Sequence, residues 1–233
     1  QAHLNSGADI TAVCTSNLDA NAEDVNYFRL DSNGRITETL FSLRNPEGYY
    51  RSLEIYILSK QLLLDMVDYC AAHNIHNFSR GVLLPRLSTL KVLPYLHRGY
   101  VARFQSVADY FQHSMDLLDP AVRADLFDPD RPIRTKDQSN PSTYYGPDAK
   151  SVHSLVADGC FIEGELENCV IFRGVRIEQG AVLKNCIIMQ DTIIGLGATL
   201  NYIISDKDVT VDGGVTLAGS PKLPLVVPKG SKI

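Results

Sequence analysis

Hydrophobic positions recur with a fixed period between residues 155 and 219 of this 233-residue chain. Three consecutive segments of 17 residues, 170–186, 187–203 and 204–220, carry equivalent residues at matched positions. The matched sets are Val175/Thr192/Val209, Ile177/Ile194/Val211, Gly180/Gly197/Gly214 and Leu183/Leu200/Leu217. A fourth copy, residues 155–169, is two residues shorter. An aliphatic residue about every six positions predicts a parallel β-helix of hexapeptide-type repeats, in which each coil buries its apolar side against its neighbours.

The first 126 residues show strand and helix patterns instead of a repeat. Residues 9–13 and 52–58 are apolar runs typical of strands. Ser59 and Ser106 each precede an apolar stripe of helical spacing, and both are predicted to cap helices. The stripe after Ser59 is predicted to be core and consists of Leu62, Leu63, Met66, Val67 and Cys70. These patterns predict an α/β region ahead of the β-helix.

The chain therefore divides into three parts. Residues 1–126 are predicted to form a partial α/β domain and residues 151–233 the β-helix domain. Between them, residues 127–150 contain four prolines and few aliphatic residues, which predicts a linker. The predicted fold class is α/β plus β.

Composition excludes several classes of partner. The net charge is −5 without a run of Lys or Arg, so we do not expect the chain to bind nucleic acid. No apolar stretch approaches the roughly 20 residues that span a bilayer, so no membrane association is expected. The five cysteines are odd in number and irregularly spaced, which favours reduced thiols in a cytoplasmic protein.

The β-helix alone leaves the function open. Many β-helices of this type are acyltransferases that use a histidine as the base. Residues 155–219 contain no histidine, and His153 lies just before the first coil. This absence disfavours an acyltransferase, so the first part of the chain must decide the function.

Six short motifs occur in one order along the chain: Gly7-Ala8-Asp9-Ile10-Thr11, Ser52 to Ile57, Gly99 to Tyr110, Asp116-Leu117-Leu118, Phe127 to Thr135 and Ser154 to Cys160. With these motifs the chain resembles the ADP-glucose pyrophosphorylase (glucose-1-phosphate adenylyltransferase) family of glycogen and starch synthesis. The resemblance runs nearly end to end. It implies that the first part is the C-terminal portion of a nucleotidyltransferase domain and that the β-helix is left-handed.

The family carries a Gly-rich loop and a lysine for the ATP phosphates ahead of the first of these motifs. This sequence begins just before that motif. The resemblance therefore implies that the nucleotide-binding half is missing from this sequence, which we expect to be a fragment.

The remaining motifs depart from the catalytic pattern of the family. Arg103 aligns with an aspartate that serves the Mg²⁺ of active members, and Gly81 replaces a second aspartate. Phe41-Ser42-Leu43 aligns with a Glu-Lys-Pro motif that grips the sugar phosphate, and Glu54 replaces a glycine. We therefore expect no catalytic residue, metal ligand or cofactor in this chain. Ser52 alone survives as a candidate sugar contact.

These departures favour a non-catalytic role. The chain resembles the GlgD-type subunits of the family, so we expect a regulatory or assembly subunit that forms an oligomer with a catalytic subunit. An active glucose-1-phosphate adenylyltransferase with shifted residues is the first alternative, and a hexapeptide-repeat acyltransferase is the second.

Two cations in the linker suggest a regulatory site. Arg134 and Lys136 lie in the predicted linker, and two neighbouring cations suit a phosphate. The resemblance implies that sugar phosphates or inorganic phosphate act at the junction between the two domains, to which this linker belongs. Incidental charges on a solvated linker explain the same pattern equally well.

Overall fold

The structure of the protein, a computed structural model, describes residues 1–16, 25–42, 46–136 and 139–233. The chain forms two compact units, residues 1–99 and residues 100–233. The helices are α1 (Ala2–Ser6), α2 (Lys60–His73), α3 (Leu84–Arg86), α4 (Val107–Asp116) and α5 (Pro120–Leu126), with a π-helical turn at Ser79–Leu83. No helix in the described part of the chain is long and apolar enough to cross a membrane.

In the described part of the first unit, the strands form a mixed five-stranded sheet. Its strands are β1 (Ile10–Thr15), β2 (Val25–Leu30), β3 (Ile36–Ser42), β4 (Tyr50–Leu58) and β5 (Val92–Leu96). The strand order is β3-β2-β4-β1-β5, and β1 runs antiparallel to β4 but parallel to β5. Ile10, Phe28 and Val92 are fully buried in the core that this sheet shares with the helices. The predicted α/β region is confirmed.

Helix α2 begins where the sequence predicts. The Ser59 side chain accepts a hydrogen bond from the Leu62 amide at 3.2 Å. Met66 is buried, but Leu63 and Val67 are 44% and 53% exposed, so their assignment to the core was wrong. Residues four apart share a face of a helix, which aligns Met66 with Leu62. Leu63 and Val67 lie one position further round, away from that core.

The second unit is a solenoid with three parallel sheets, each of five strands. The first sheet contains β6 (Tyr144–Tyr145), β9 (Phe161–Ile162), β12 (Arg176–Ile177), β15 (Ile193–Ile194) and β18 (Thr210–Val211). The second contains β7 (Lys150–Val152), β10 (Glu165–Glu167), β13 (Val182–Lys184), β16 (Thr199–Asn201) and β19 (Thr216–Ala218). The third contains β8 (Leu155–Val156), β11 (Val170–Ile171), β14 (Ile187–Ile188), β17 (Ile203–Ser205) and β20 (Leu225–Val227).

Successive coils stack in the register that the repeat predicts. Leu183 pairs with Leu166 on one side and with Leu200 on the other, and all three side chains are at most 2% exposed. Cys169 and Cys186 are free thiols, fully buried within the solenoid core. The predicted β-helix of hexapeptide-type repeats is therefore confirmed, and these two cysteines fill its interior.

The corners between the sheets require left-handed backbone conformations. The φ angles there are 54° at Asn168, 51° at Asn185, 57° at Asp191 and 58° at Asp208. Asn and Asp tolerate this conformation better than other residues with a side chain. The Asn185 side chain also donates to Asn201 at 3.1 Å, which links this corner to the end of strand β16 in the next coil.

Helix α4 covers one outer face of the solenoid. Its Phe111, together with Leu118, packs against the stacked outward residues Val170, Ile187 and Ile204. This packing explains why the compact unit begins at Tyr100, before the boundary near residue 126 that the sequence suggested. The first strand, β6, likewise lies inside the segment interpreted as a linker.

The C-terminal tail supplies the last strand of the third sheet. Strand β20 pairs in parallel with β17, and Val227 is 3% exposed. Pro224 and Pro228 flank β20, and proline suits such edge positions because it cannot donate to a further strand.

The short coil depends on Gly164, where residues 155–169 omit two residues. A Cβ atom at this position would overlap the carbonyl oxygen of Ala181 in the next coil. We expect Gly164→Ala to lower the free energy of unfolding by about 1–3 kcal/mol, because the backbone of a packed coil cannot move away. Gly213→Ala, whose nearest atom would lie at 3.2 Å, is the matched control and should cost less in the same denaturation experiment. Equal losses would contradict this role of Gly164.

Candidate functional site

Glu54 lies at an irregularity of strand β4. In the pairing of β1 with β4, Val13 faces Ile55 but Cys14 faces Ser52, so Leu53 and Glu54 form a bulge. The φ angle of Glu54 is 57°, in the left-handed region that favours glycine. A side chain in this conformation costs about 1–2 kcal/mol. The backbone here thus suits the glycine that the family motif carries at this position, although the residue is a glutamate.

The Glu54 carboxylate is held by polar groups from neighbouring elements. The Asn26 side-chain amide of β2 donates to one oxygen. Ser79, in the π-helical turn, donates to the other oxygen at 3.1 Å, and the Tyr56 hydroxyl lies 3.4 Å from it. The Glu54 amide in turn donates to the Ser52 hydroxyl at 3.1 Å. We call these five residues the Glu54 cluster.

The cluster has a buried floor and an exposed acid. Asn26, Ser52 and Ser79 are 6%, 2% and 3% exposed, whereas Glu54 is exposed. Burial raises the pKa of Tyr56, and the Glu54 charge adds to this effect against an opposing hydrogen bond from Ser79. The floor therefore aims one carboxylate at the surface and surrounds it with neutral hydroxyl and amide groups.

The buried amide of Asn26 is oriented by this acid. Its Oδ1 atom has no hydrogen-bond partner among the described residues, although its NH₂ group donates to Glu54. A buried polar atom without a partner costs free energy. The contact with Glu54 therefore determines the orientation of the Asn26 amide. Without the carboxylate, both the NH₂ group and the Oδ1 atom of Asn26 would lack a hydrogen-bond partner.

The electrostatics of the Glu54 cluster favour cations or neutral hydroxyl groups over anions. Its one ionised side chain is a carboxylate, which repels a phosphate that approaches the same surface. Ser52, the predicted sugar contact, lies beneath the surface and supports the turn at Glu54 through its hydroxyl. A sugar-binding role of Ser52 stays a prediction.

The structure shows the surroundings of two other positions at which this chain departs from the catalytic pattern of the family. Gly81 lies in the π-helical turn, where an added Cβ would overlap the Cγ2 methyl of Ile75. An aspartate side chain is therefore excluded at Gly81 unless Ile75 moves. Arg103 is half-buried in the segment before α4, within the second unit. In the Phe41-Ser42-Leu43 segment, Leu43 and the Ser42 side chain lie outside the described residues.

The candidate anion-binding residues Arg134 and Lys136 are exposed and belong to neither a helix nor a strand. Within the described ranges, neither forms a salt bridge, whereas the nearby Arg131 pairs with Asp128 at 2.9 Å. Both cations are thus accessible to an anion from solvent. Their role in effector binding stays a prediction.

One polar cluster of the second unit escaped sequence reasoning. The Tyr100 hydroxyl donates to Asp116 at 2.7 Å, and His113 Nδ1 lies 2.9 Å from that hydroxyl and 3.1 Å from Asp116. Burial and the hydrogen bond to Asp116 raise the pKa of Tyr100. Burial alone would raise the pKa of Asp116, but hydrogen bonds from Tyr100, Gln112 and His113 lower it overall. The cluster ties the segment before α4 to that helix, and the three-residue spacing of His113 and Asp116 is the only sequence signal for it.

Comparison with known proteins agrees with these observations. The family model for the GlmU-like C-terminal hexapeptide domain matches residues 142–222. The glycogen biosynthesis protein GlgD of Bacillus subtilis is 42% identical over 133 residues, which cover 57% of this chain and 38% of that protein. Glucose-1-phosphate adenylyltransferase of Geobacillus stearothermophilus is 35% identical over 142 residues, which cover 59% of this chain and 36% of that protein. That of Thermotoga neapolitana is 30% identical over 188 residues, with 78% and 44% covered.

The chain thus spans less than half the length of the curated relatives it matches. The resemblance to the ADP-glucose pyrophosphorylase family, and to its GlgD proteins in particular, is confirmed.

Two substitutions at residue 54 separate backbone strain from hydrogen bonding. Glu54→Gly and Glu54→Ala both remove the carboxylate, but only glycine adopts a φ of 57° without strain. We expect Glu54→Ala to be less stable than Glu54→Gly by about 1 kcal/mol in urea unfolding. Equal stability of the two variants would show that the conformation at Glu54 is not strained.

Proposed function

We propose that this chain is a non-catalytic, regulatory or assembly subunit for ADP-glucose synthesis in glycogen biosynthesis. It assembles in the cytoplasm with a catalytic glucose-1-phosphate adenylyltransferase subunit. The names of its relatives, a glycogen biosynthesis protein and glucose-1-phosphate adenylyltransferases, support this pathway. The observation that carries the non-catalytic assignment is the Glu54 carboxylate, which stands where the family motif has a glycine.

The chemistry explains why this carboxylate matters. The phosphate of glucose 1-phosphate attacks the α-phosphorus of ATP and displaces pyrophosphate, and negative charge collects on the attacking and leaving oxygens. Catalysis therefore needs Mg²⁺ held by carboxylates and cations beside the phosphates. A carboxylate about 4 Å from a phosphate costs about 1–4 kcal/mol per unit charge, between bulk-water screening and the surface of a protein. Glu54 thus opposes binding of the sugar phosphate.

The other altered positions support the same proposal. Gly81 offers no carboxylate and is packed against Ile75, and Arg103 would repel Mg²⁺ where the family uses an aspartate. An active enzyme remains the first alternative and would need other residues in these roles. An acyltransferase is disfavoured because residues 155–219 contain no histidine to act as base.

The decisive measurement is ADP-glucose formation by the full-length polypeptide, alone and mixed with its catalytic partner. Alone, it should form no product above background with ATP, Mg²⁺ and glucose 1-phosphate. Mixed with the partner, it should co-elute with it and change its kinetic constants. Glu54→Gly should remain inactive alone, because Gly81 and Arg103 are unchanged. Turnover by the unmodified polypeptide would establish the active-enzyme alternative, and acetyl-CoA binding would favour the acyltransferase.

We further propose that Arg134 and Lys136 bind a sugar phosphate or phosphate effector. Arg134→Ala combined with Lys136→Ala should blunt the response of the complex to such effectors, since both cations are exposed and without salt bridges in the described structure. Assembly should be unaffected. Lys207→Ala combined with Lys222→Ala removes two other exposed cations as a control for net charge. An unchanged effector response in the first variant would remove both residues from this role.

A further inference from the structure

A cavity of about 520 Å³ opens between the start of helix α4 and the third sheet of the solenoid. Its volume is within the range of small-molecule sites, and most of its surface is apolar. Phe104, Val107 and Tyr110 form one wall, and Met189, Ile204 and Val226 form the other. Neither the proposed subunit role nor the linker cations account for this cavity.

The walls leave aromatic and aliphatic surface in contact with water. Phe104 is 61% exposed and Val226 is 44% exposed. A ligand that covered both side chains would remove apolar surface from water, which contributes favourably to the free energy of binding. The rings of Phe104 and Tyr110 lie with their centroids 6.0 Å apart in a tilted arrangement. An apolar body of about one ring would fit against these surfaces.

The charge of the residues that line the cavity indicates which polar group a ligand would carry. Asp206 is the one charged side chain among the described residues that line it, and none of them is basic. One Asp206 oxygen accepts the Lys207 amide at 2.7 Å, while Asp206 forms no salt bridge within the described ranges. Burial raises the pKa of Tyr110, and the Asp206 charge adds to that effect, in keeping with a negative potential inside the cavity.

The N-terminus of helix α4, where the helix dipole is positive, does not make the cavity favourable for an anion. The Asp109 amide donates to the Ser106 hydroxyl at 3.1 Å, and the Asp109 carboxylate accepts the Gln105 amide at 3.1 Å. These two hydrogen bonds resemble a capping box and occupy backbone donors that would otherwise attract an anion. It also places a second carboxylate in the first turn of the helix.

From this arrangement we propose that the cavity is a binding site for a small organic cation with an apolar, ring-sized body. The ammonium or guanidinium group pairs with Asp206, and the faces of Phe104 and Tyr110 attract the same positive charge. The apolar body lies between Val107 and Val226. Sugar phosphates and other anions are excluded by the same carboxylate.

Three probes of similar shape and different charge test this site. Benzylammonium, benzyl alcohol and benzoate would be titrated into the ¹⁵N-labelled chain, with amide shifts followed by NMR. Benzylammonium should shift amides around Asp206 and Tyr110, benzyl alcohol should bind about fivefold more weakly, and benzoate should not bind. Equal binding of the cation and the alcohol, or no shift with any probe, would overturn the proposal.

Variants separate the charge from the apolar walls. Asp206→Asn keeps an oxygen for the Lys207 amide and should weaken benzylammonium binding about fivefold while leaving benzyl alcohol unchanged. Phe104→Ala, at a position that is 61% exposed, should weaken the binding of both probes. Asp208→Asn removes a nearby carboxylate that does not line the cavity and serves as the matched control. Unchanged benzylammonium binding by Asp206→Asn would refute the assignment of Asp206.

Discussion

Hydrogen bonding between successive coils is the constraint on which the second unit depends. A coil has no core of its own, so its inward residues are buried only when its neighbours stack in register. Backbone hydrogen bonds between coils fix that register. For example, the Arg176 amide donates to the Thr192 carbonyl oxygen at 2.9 Å, and the Ile193 amide donates to the Val209 carbonyl oxygen at 2.8 Å. Because each strand contributes only two or three residues, a shift by one residue would turn the inward side chains outward. Changes of length are therefore confined to corners, such as the one at Gly164.

The same register builds the surface outside the coils. Stacking aligns Val170, Ile187 and Ile204 in one outward column, which would be an apolar stripe in water. Phe111 of α4 covers much of this column, and Tyr110 of the same helix reaches the cavity beside Ile204. A repeat selected for inward packing thus also determines where a helix docks and where a ligand-sized space remains. The cavity is a consequence of covering a regular surface with a helix of only ten residues.

Periodicity made the solenoid predictable, because the pattern of buried positions in each coil lies within 17 consecutive residues. The cap at Ser59 was predictable for the same reason, since the hydrogen bond spans three residues. Sequence reasoning failed at Leu63 and Val67, whose burial depends on what the rest of the chain packs against them. It also could not find the Tyr100 contacts with His113 and Asp116, because the sequence pattern does not relate a loop tyrosine to a helical histidine 13 residues away.

The candidate site was predicted only in part. Motif comparison singled out Glu54 and its charge, but it gave neither the left-handed backbone nor the partners of the carboxylate. Asn26 and Ser79 lie 28 and 25 residues from Glu54 in sequence, and only the fold brings them together. A bulge whose backbone suits glycine thus carries a charged side chain here, and the hydrogen bonds from neighbouring groups act against the strain.

Two of the departures from the family motifs, Glu54 and Gly81, lie close together in the first unit. Ser79 donates to Glu54, and Gly81 lies two residues further along the same π-helical turn, where the Ile75 methyl group occupies the space of a side chain. Glycine at position 54 would leave the Asn26 amide without its acceptor, although Ser79 would keep the Tyr56 hydroxyl as a partner at 2.9 Å. An aspartate at position 81 would displace Ile75 from the core against which it packs. Substitutions at residues whose surroundings adjoin in this way need not contribute additively to stability. A substitution at either position therefore changes the environment of the residues packed around it, and its effect on stability depends on those neighbours.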